Sequence, residues 1–362
     1  MKILALGATG AIGRQLVAGL VKSGENRISV TSRSPRQSRA NLRYVQGDAR
    51  DDAFLQGVLQ EPWDVIVDFM VYDTPSFRRR LTPLLEATDQ YVFISSARVF
   101  AETTDPITEQ SPRLLDVSTD ERFLASDEYA LTKARQEDML TGSGVRNWTI
   151  LRPYITFGKG RLQLGTLEKE SWLYRALQGR SIVFCKDLLH KQTTLTDGTL
   201  VADMIASLIG KPQALGESFN LTGTQATDWG AVLDLYCEGL TAHLGHRPKV
   251  VLQDLETFCD GAPSVAQIKY DRAFHRVFDP AKISRFIDMS AQAPVLTSLD
   301  HWLKDQLQGG TFLPRSPVQE ALRDRASNEY GPMGDFRTIK QRLKYLAYRH
   351  MPLGTLRRMR KM

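Results

Sequence analysis

The chain has 362 residues, which is too long for one minimal domain and fits a large α/β unit with a smaller lobe. Its 42% hydrophobic and 24% charged residues are ordinary for a globular protein. The sequence contains no run of 18 apolar residues, so it predicts no membrane-spanning helix. The net charge of +6 arises from residues 336–362, so it gives no whole-protein argument for nucleic-acid binding.

The remaining composition points to a reducing compartment. The apolar run at the N-terminus is too short for a signal peptide. Three widely spaced cysteines, with no CxxC pair and no histidine spacing suited to zinc, argue against a disulfide framework and a metal site. We therefore expect a cytoplasmic protein that binds no metal.

Strands and helices alternate along the first part of the chain. The apolar pattern predicts strands at 2–6, 28–30, 42–45, 64–68, 91–94 and 148–151. Helices are predicted after the first strand up to about Gly24, and at 53–59, 77–87 and 128–142. This rhythm predicts a doubly wound parallel α/β sheet. Beyond about residue 160 it becomes irregular, which indicates a smaller C-terminal α/β lobe.

These patterns predict three segments. Residues 1–160 form a dinucleotide-binding domain to which later segments return, residues 161–305 form an interleaved substrate lobe, and residues 306–362 form a C-terminal extension with a basic tail. Within the extension, glycines and prolines at 306–335 predict a linker with one helix near 317–326.

A glycine-rich turn separates the first strand from the first helix. Gly7 permits the tight turn, Gly10 lets a pyrophosphate approach backbone N–H groups, and Gly13 lets the helix pack against the sheet. Downstream, Gly47-Asp48 is a candidate adenine contact. The strand–turn–helix context favours a dinucleotide site over a turn without a ligand.

The end of the second strand decides between the two nicotinamide cofactors. An acidic residue there would bind the ribose 2′-hydroxyl and repel a 2′-phosphate, and the segment 30–36 contains none. Arg33 and Arg36 could pair with a 2′-phosphate, and the hydroxyl of Ser32 could donate to it. NADP(H) is therefore favoured over NAD(H), the alternative being that both arginines are solvated.

A second constellation has catalytic character. Tyr129 and Lys133 are four residues apart on one predicted helix face, where the cation would favour the phenolate and make Tyr129 a general acid/base. Ser96 follows a strand at the edge where open α/β sheets bind ligands, and its hydroxyl could hold a substrate carbonyl. The alternative is an ordinary surface pair and a serine that caps a strand end.

With these motifs the chain resembles the extended short-chain dehydrogenases/reductases, the NAD(P)-dependent group of nucleotide-sugar epimerases, dehydratases and reductases with a Rossmann-type domain. The matching pieces are Gly7–Gly13, Gly47-Asp48, Phe93–Phe100, Tyr129–Lys133, Leu151–Gly158 and Ser218–Gly223, and the match covers about residues 1–305. The resemblance implies Ser96, Tyr129 and Lys133 as the catalytic triad, with Lys133 also holding the nicotinamide ribose. It also implies a nucleotide-sugar substrate held between two lobes, and the homodimers frequent in the family.

The predicted cofactor contacts combine the glycine turn, the second-strand end and the matching pieces. They are Gly7, Thr9, Gly10, Ala11, Ile12, Gly13, Ser32, Arg33, Arg36, Asp48, Ala49, Phe69, Met70, Tyr129, Lys133 and Pro153.

Two segments depart from the family pattern. After the fourth strand the family has small residues resembling His-x-Ala-Ala, whereas the bulky Phe69 and Met70 stand here and would change the floor beside the cofactor. The dehydratases place Asp-Glu after the catalytic serine or threonine, whereas this chain has Ala97-Arg98, which disfavours elimination of water.

Three functions stay open. The first is NADPH-dependent reduction of a keto group on a nucleotide-linked sugar, which the arginines after the second strand favour. The second is a nucleotide-sugar epimerase that retains NAD. The third, from another class, is a non-catalytic nucleotide-sensing or RNA- or partner-binding protein on the same fold, which the presence of Tyr129 and Lys133 disfavours.

The C-terminal tail is a separate question. Residues 336–362 carry nine cations and no acid, which leaves about −3 on residues 1–335. Apolar residues are interspersed among the cations, which is a pattern typical of interfacial helices on anionic membranes. Such a helix would hold the enzyme at the inner face of the membrane, near lipid-linked glycan assembly. A solvated or packed basic extension is an equal alternative, and a role in RNA or partner binding remains open. The basic positions are Arg337, Lys340, Arg342, Lys344, Arg349, Arg357, Arg358, Arg360 and Lys361.

Overall fold

The computed structural model describes residues 1–262, 264–352 and 354–355. Its strands, numbered in chain order, are β1 (Lys2–Leu6), β2 (Arg27–Ser32), β3 (Leu42–Gln46), β4 (Trp63–Asp68), β5 (Thr88–Ile94), β6 (Trp148–Pro153), β7 (Thr156–Phe157), β8 (Gln163–Leu164), β9 (Leu167–Glu168), β10 (Ile182–Cys185), β11 (Gln192–Thr193), β12 (Thr196–Asp197), β13 (Glu217–Leu221), β14 (Thr227–Asp228) and β15 (Val250–Gln253).

The α-helices are α1 (Ala11–Ser23), α2 (Asp52–Leu59), α3 (Thr74–Glu86), α4 (Leu114–Val117), α5 (Glu121–Leu124), α6 (Tyr129–Thr141), α7 (Leu173–Leu177), α8 (Gly198–Leu208), α9 (Trp229–Leu244), α10 (Leu255–Asp260), α11 (Val265–Gln267), α12 (Val295–Leu307), α13 (Pro317–Ser327) and α14 (Ile339–His350). Among the described residues, no helix is both long enough and apolar enough to cross a membrane.

Seven parallel strands form the main sheet, in the order β13-β6-β5-β4-β1-β2-β3. Successive residues of β1 point to opposite faces, so that Ile3 packs in one apolar core and Leu4 in the other. The first core is closed by α1 and α8, and the second by α2, α3 and α6. This confirms the predicted doubly wound parallel sheet.

Most predicted elements lie within a few residues of their observed bounds. The largest shift at a helix start is in α3, which begins at Thr74 rather than at 77. The reason is local: the Asp73 side chain accepts a hydrogen bond from the Ser76 backbone N–H at 2.7 Å, and Pro75 stands in the first turn.

The chain divides into two compact units. Unit 1 comprises Met1–Gly158, Thr194–Ala226 and Val277–Ala293, and contains the main sheet. Unit 2 comprises Lys159–Thr193, Thr227–Arg276 and Pro294–Met362, and contains the parallel pair β10 and β15 with α7, α9, α10 and α12 to α14. The segment 306–335, for which the sequence predicts a linker, is folded within unit 2.

A buried ion network explains why that segment is folded. Asp324 on α13 is fully buried and accepts hydrogen bonds from Arg175 at 2.6 Å and from Arg180 at 3.1 Å. Tyr345 on α14 donates its hydroxyl to the same carboxylate at 2.6 Å. Burial raises the pKa of Asp324, but the neighbouring cations and the Tyr345 hydroxyl outweigh it and hold that pKa below its usual value.

We expect Asp324→Ala to lower the free energy of unfolding by up to about 3–5 kcal/mol, because it removes a buried carboxylate that Arg175 and Arg180 share, although Glu320 still pairs with both. Asp234→Ala is the control, since Asp234 pairs with Arg247 on the surface, both side chains being more than half exposed. The control should change the free energy by less than about 1 kcal/mol. Urea unfolding of the full chain measures both. Equal effects of the two substitutions would contradict the account of the network.

Candidate active site

The glycine turn has the backbone that its sequence predicts. Gly7 has φ of +68°, and a Cβ there would lie 2.6 Å from the sulfur of Met70. A Cβ at Gly13 would lie 2.5 Å from the Cα of Ala8, so only glycine lets α1 pack this closely on the turn. Both positions therefore require glycine for steric reasons.

Gly10 immediately precedes α1. Within the described part of the chain, no side chain caps this helix and no heavy atom lies within 4 Å of the place a Cβ would occupy. The first backbone N–H groups of a helix carry partial positive charge and need acceptors. The turn thus presents a helix N-terminus suited to a phosphate.

A cavity of about 200 Å³ opens beside this turn, at the carboxyl ends of β1 to β4. Eight predicted cofactor contacts share its wall, namely Gly7, Thr9, Ser32, Arg33, Asp48, Ala49, Phe69 and Met70. Parallel strands place their carboxyl ends at one edge of the sheet, which is why residues from four separate segments meet here.

Other predicted contacts lie outside this wall. They are Gly10, Ala11, Ile12, Gly13, Arg36, Tyr129, Lys133 and Pro153. Arg36 is exposed, donates from Nε to the Ser32 Oγ at 3.2 Å, and lies 5.8 Å from the Tyr44 ring centroid. Pro153 ends β6, where it pairs with Leu221 of β13.

Three wall residues were not predicted, namely Thr31, Arg50 and Val71, whereas Gly47 on the same wall was predicted with Asp48 as an adenine contact. The Thr31 hydroxyl accepts a hydrogen bond from the Gly7 N–H at 3.1 Å and so holds the glycine turn against β2. A Cβ at Gly47 would lie 2.1 Å from the Phe54 ring. Thr31 and Val71 directly adjoin predicted residues, so the signal was their position in the same strand-end segments.

A buried clamp fixes α6 against the ends of β5 and β6. Glu137 accepts two hydrogen bonds from Arg152, both at 2.8 Å, and one from the Ser95 hydroxyl at 2.6 Å. One turn earlier on the same helix face, the Lys133 ammonium donates to the Ile94 carbonyl at 2.9 Å. Arg152 therefore stabilises the fold at this point, because both of its bonds to Glu137 join β6 to α6.

Tyr129 is the first residue of α6, one further turn along that face. Glu128 caps the helix by accepting from the Ala130 N–H at 2.6 Å, and it also pairs with Arg98. The Arg98 guanidinium lies 5.2 Å and the Lys133 ammonium 6.0 Å from the Tyr129 ring centroid. Two cations thus flank the tyrosine ring.

Ser96 lies between the end of β5 and a short 3-10 helix, Ala97–Val99, which it caps. Its Oγ accepts from the Arg98 N–H at 3.3 Å, and the residue is buried. A serine hydroxyl that accepts one bond still has a proton to donate. In the sequence, Ala97-Arg98 indicates only that the Asp-Glu pair of the dehydratases is absent. The proximity of the Arg98 guanidinium to the Tyr129 ring is not predicted by the sequence.

The electrostatics of Lys133 are set by burial. Burial lowers the pKa of its ammonium to about 8, against the opposing effect of the Asp68 and Glu137 carboxylates. Asp68, the last residue of β4, accepts from the Tyr91 hydroxyl at 2.8 Å and from the Met70 N–H at 2.8 Å. Its own pKa is raised by burial. Asp68, on the strand next to β5, is thus close enough to act electrostatically on the Lys133 ammonium.

Comparison with known proteins agrees with the fold. A family model described as NAD(P)H-binding matches residues 7–170. No curated protein matches the sequence. UDP-glucuronic acid 4-epimerase from Bacillus cereus, solved with NAD, is similar in structure at a TM-score of 0.62 and 16% identity, over 86% of this chain and 99% of that one.

Two further solved structures are similar. dTDP-glucose 4,6-dehydratase from Bacillus anthracis, in complex with NAD, has a TM-score of 0.62 at 18% identity and covers 85% of this chain and 97% of its own. A short-chain dehydrogenase/reductase superfamily protein from Agrobacterium tumefaciens with bound NAD has a TM-score of 0.60 at 19% identity, covering 85% and 98%.

Together the fold and these similarities confirm the resemblance predicted from the sequence. The chain has the fold of these solved structures, and its residues 7–170 match the NAD(P)H-binding family model.

We expect Lys133→Met to change how stability depends on pH. The pKa of Lys133 is lowered from 10.5 to about 8 in the folded protein, so burying the ammonium costs stability below pH 8. As pH rises from 8 to 10.5, the unfolded state binds the additional proton and the wild type is stabilised by up to about 3 kcal/mol relative to the variant. Urea unfolding of both proteins at pH 7 and at pH 10 measures this. If the difference in the free energy of unfolding between wild type and variant is the same at both pH values, the lowered pKa of Lys133 is contradicted.

Proposed function

We propose that the chain is an NAD(P)-dependent oxidoreductase that reduces a keto group on a nucleotide-linked sugar, with NADPH as reductant. The observation that carries the proposal is the clamped face of α6, which holds Tyr129 and Lys133 at the sheet edge where Ser96 follows β5. An acid/base pair and a dinucleotide-type cavity at one edge is the arrangement that hydride transfer to a carbonyl requires.

The residues present fit a dinucleotide. The cavity beside the glycine turn offers backbone amides, the uncapped start of α1 and small residues that allow close approach. Phe69 and Met70 supply an apolar floor where the family has small residues. When bound, the reduced nicotinamide would supply the hydride.

The chain's own side chains would handle the proton. The Ser96 hydroxyl donates to the substrate carbonyl oxygen and orients it, and the Tyr129 hydroxyl gives that oxygen its proton as the carbonyl is reduced. Lys133 and Arg98 stabilise the phenolate that remains, since both cations lie within about 6 Å of the ring. The bonds of Glu137 to Arg152 and Ser95 fix the position of α6 relative to β5, and so position Tyr129 and Lys133 relative to Ser96. Glu137 itself acts as a positioning residue.

The substrate class is inferred from the similar structures. One was solved with UDP-glucuronic acid and NAD, and another is a dTDP-glucose 4,6-dehydratase. We extend from them to a nucleotide-linked sugar here. Ser96 is followed by Ala97-Arg98 and not by the Asp-Glu pair of the dehydratases. The chain therefore lacks, at these positions, the acid and base that elimination of water would use.

The preference for NADP(H) rests on the end of β2. Arg33 is exposed on the cavity wall, next to the buried Ser32, and the segment 30–36 has no acid to repel a phosphate. The alternative is an epimerase that retains NAD, oxidises the substrate transiently and returns the hydride to the opposite face. The NAD bound in the similar structures favours this second candidate.

We expect Tyr129→Phe to retain cofactor binding and to lose turnover by about 10²–10⁴-fold, because acid/base catalysis supplies that factor. Turnover is followed by the nicotinamide absorbance with keto and hydroxy forms of nucleotide sugars. Tyr330→Phe, at an exposed tyrosine of unit 2, is the control and should turn over like the wild type. Wild-type turnover in the Tyr129 variant would exclude the mechanism.

We expect Arg33→Ser to weaken NADPH binding by about tenfold or more while NADH binding is unchanged, since a charge-assisted bond to the 2′-phosphate is lost. Arg39→Ser removes an exposed arginine that is not on the cavity wall and serves as the control. Fluorescence titration with both cofactors measures the two affinities. Equal losses for NADPH and NADH would contradict the role of Arg33 in cofactor choice.

A further inference from the structure

The last described helix, α14, has two unlike faces. Its inward face is held in unit 2: the Tyr345 hydroxyl bonds Asp324, and Arg349 donates to the Glu329 carbonyl at 3.2 Å. The Tyr345 ring also packs against Phe336 at 5.0 Å between centroids. Polar and aromatic side chains therefore face the protein.

The outward face is aliphatic. Ile339 is 75% exposed, Leu343 62% and Leu346 39%. At 3.6 residues per turn these positions, spaced four and three apart, form one stripe along the helix. A soluble helix normally buries such a stripe, and this one instead shows it to solvent.

Cations border the stripe. Lys340 and Lys344 lie on one side by the helical periodicity and Arg342 on the other, and Arg337 stands just before the helix. All four are exposed, and no acidic residue follows Asp335 in the sequence. Of the cations counted in the tail, Arg357, Arg358, Arg360 and Lys361 lie outside the described residues, as do Leu353, Leu356 and Met359.

We propose that the outward face of α14 is a docking surface for an anionic lipid membrane. An aliphatic stripe that inserts among acyl chains and flanking cations that pair with lipid phosphates are the two signals that stable interfacial binding needs. The mildly acidic body, about −3 over residues 1–335, would be repelled by such a surface, so the protein docks through this segment.

The chemistry of the face favours lipid over RNA. Single-stranded RNA is bound through exposed aromatic rings on which bases stack. On α14 the exposed hydrophobic side chains are aliphatic, whereas Tyr345 is fully buried. The exposed Tyr330 precedes the helix, and its ring lies over Arg349 on the inward face. The inference is independent of the proposed reaction, because α14 belongs to unit 2 and none of the proposed catalytic residues does.

Co-sedimentation of the full chain with vesicles tests the proposal. We expect binding to phosphatidylcholine vesicles that contain phosphatidylglycerol to be about tenfold or more stronger than to phosphatidylcholine alone, and to weaken as salt is added. Ile339→Ser with Leu343→Ser should lower binding about tenfold or more, because both stripe residues lose their apolar contact. Lys340→Gln with Lys344→Gln should weaken binding and reduce its salt dependence.

The control pair is Val117→Ser with Val145→Ser, which removes two exposed aliphatic side chains of unit 1 and should bind like the wild type. All variants should keep wild-type turnover of a soluble substrate, so failure of docking is separable from failure of the catalytic proposal. Wild-type protein that stays in the supernatant, or an Ile339/Leu343 variant that still sediments, would overturn the proposal. Loss of self-association or of RNA binding in that variant, without vesicle binding by the wild type, would also overturn it and assign the face to that partner.

Discussion

The carboxylate of Glu137 is the contact on which the candidate active site depends. It is fully buried and receives both the Arg152 guanidinium at the end of β6 and the Ser95 hydroxyl at the end of β5. A buried carboxylate that loses its partners costs several kcal/mol, so α6 has one favourable position against the sheet. Because Lys133 and Tyr129 lie on the same helix face, that position also sets theirs.

The parallel sheet brings two kinds of chemistry to one edge. At the ends of β1 to β4, backbone amides, glycines and a helix N-terminus form a cavity suited to a charged dinucleotide. At the ends of β5 and β6 lie the groups that we propose for acid/base chemistry, namely Ser96 and the α6 residues Tyr129 and Lys133. The cavity depends mainly on backbone geometry. The positions of the α6 side chains depend on the buried bonds of Glu137 to Arg152 and Ser95. The central position of β1 and β4 in the strand order keeps the two regions adjacent.

The sequence was most informative where local physics decides. The glycine turn, the alternation of strands and helices and the Tyr129–Lys133 spacing all follow from backbone sterics and periodicity. Contacts between distant segments could not be read in this way. Asp68 on β4 acts electrostatically on Lys133, which bonds the end of the neighbouring strand β5. Arg98 pairs with Glu128 and lies beside the Tyr129 ring. The segment 306–335 has the composition of a linker. It is nevertheless folded, because Asp324 of α13 accepts hydrogen bonds from Arg175 and Arg180.

The central claim is that unit 1 binds a nicotinamide dinucleotide that it exchanges during turnover. The most direct measurement is to denature the purified protein, identify any nucleotide released, and titrate protein freed of nucleotide with NADPH and NADH. The account predicts little retained nucleotide and tighter binding of NADPH. Tightly held NAD would contradict the reductase and favour the epimerase, and binding of neither cofactor would contradict the enzymatic assignment itself.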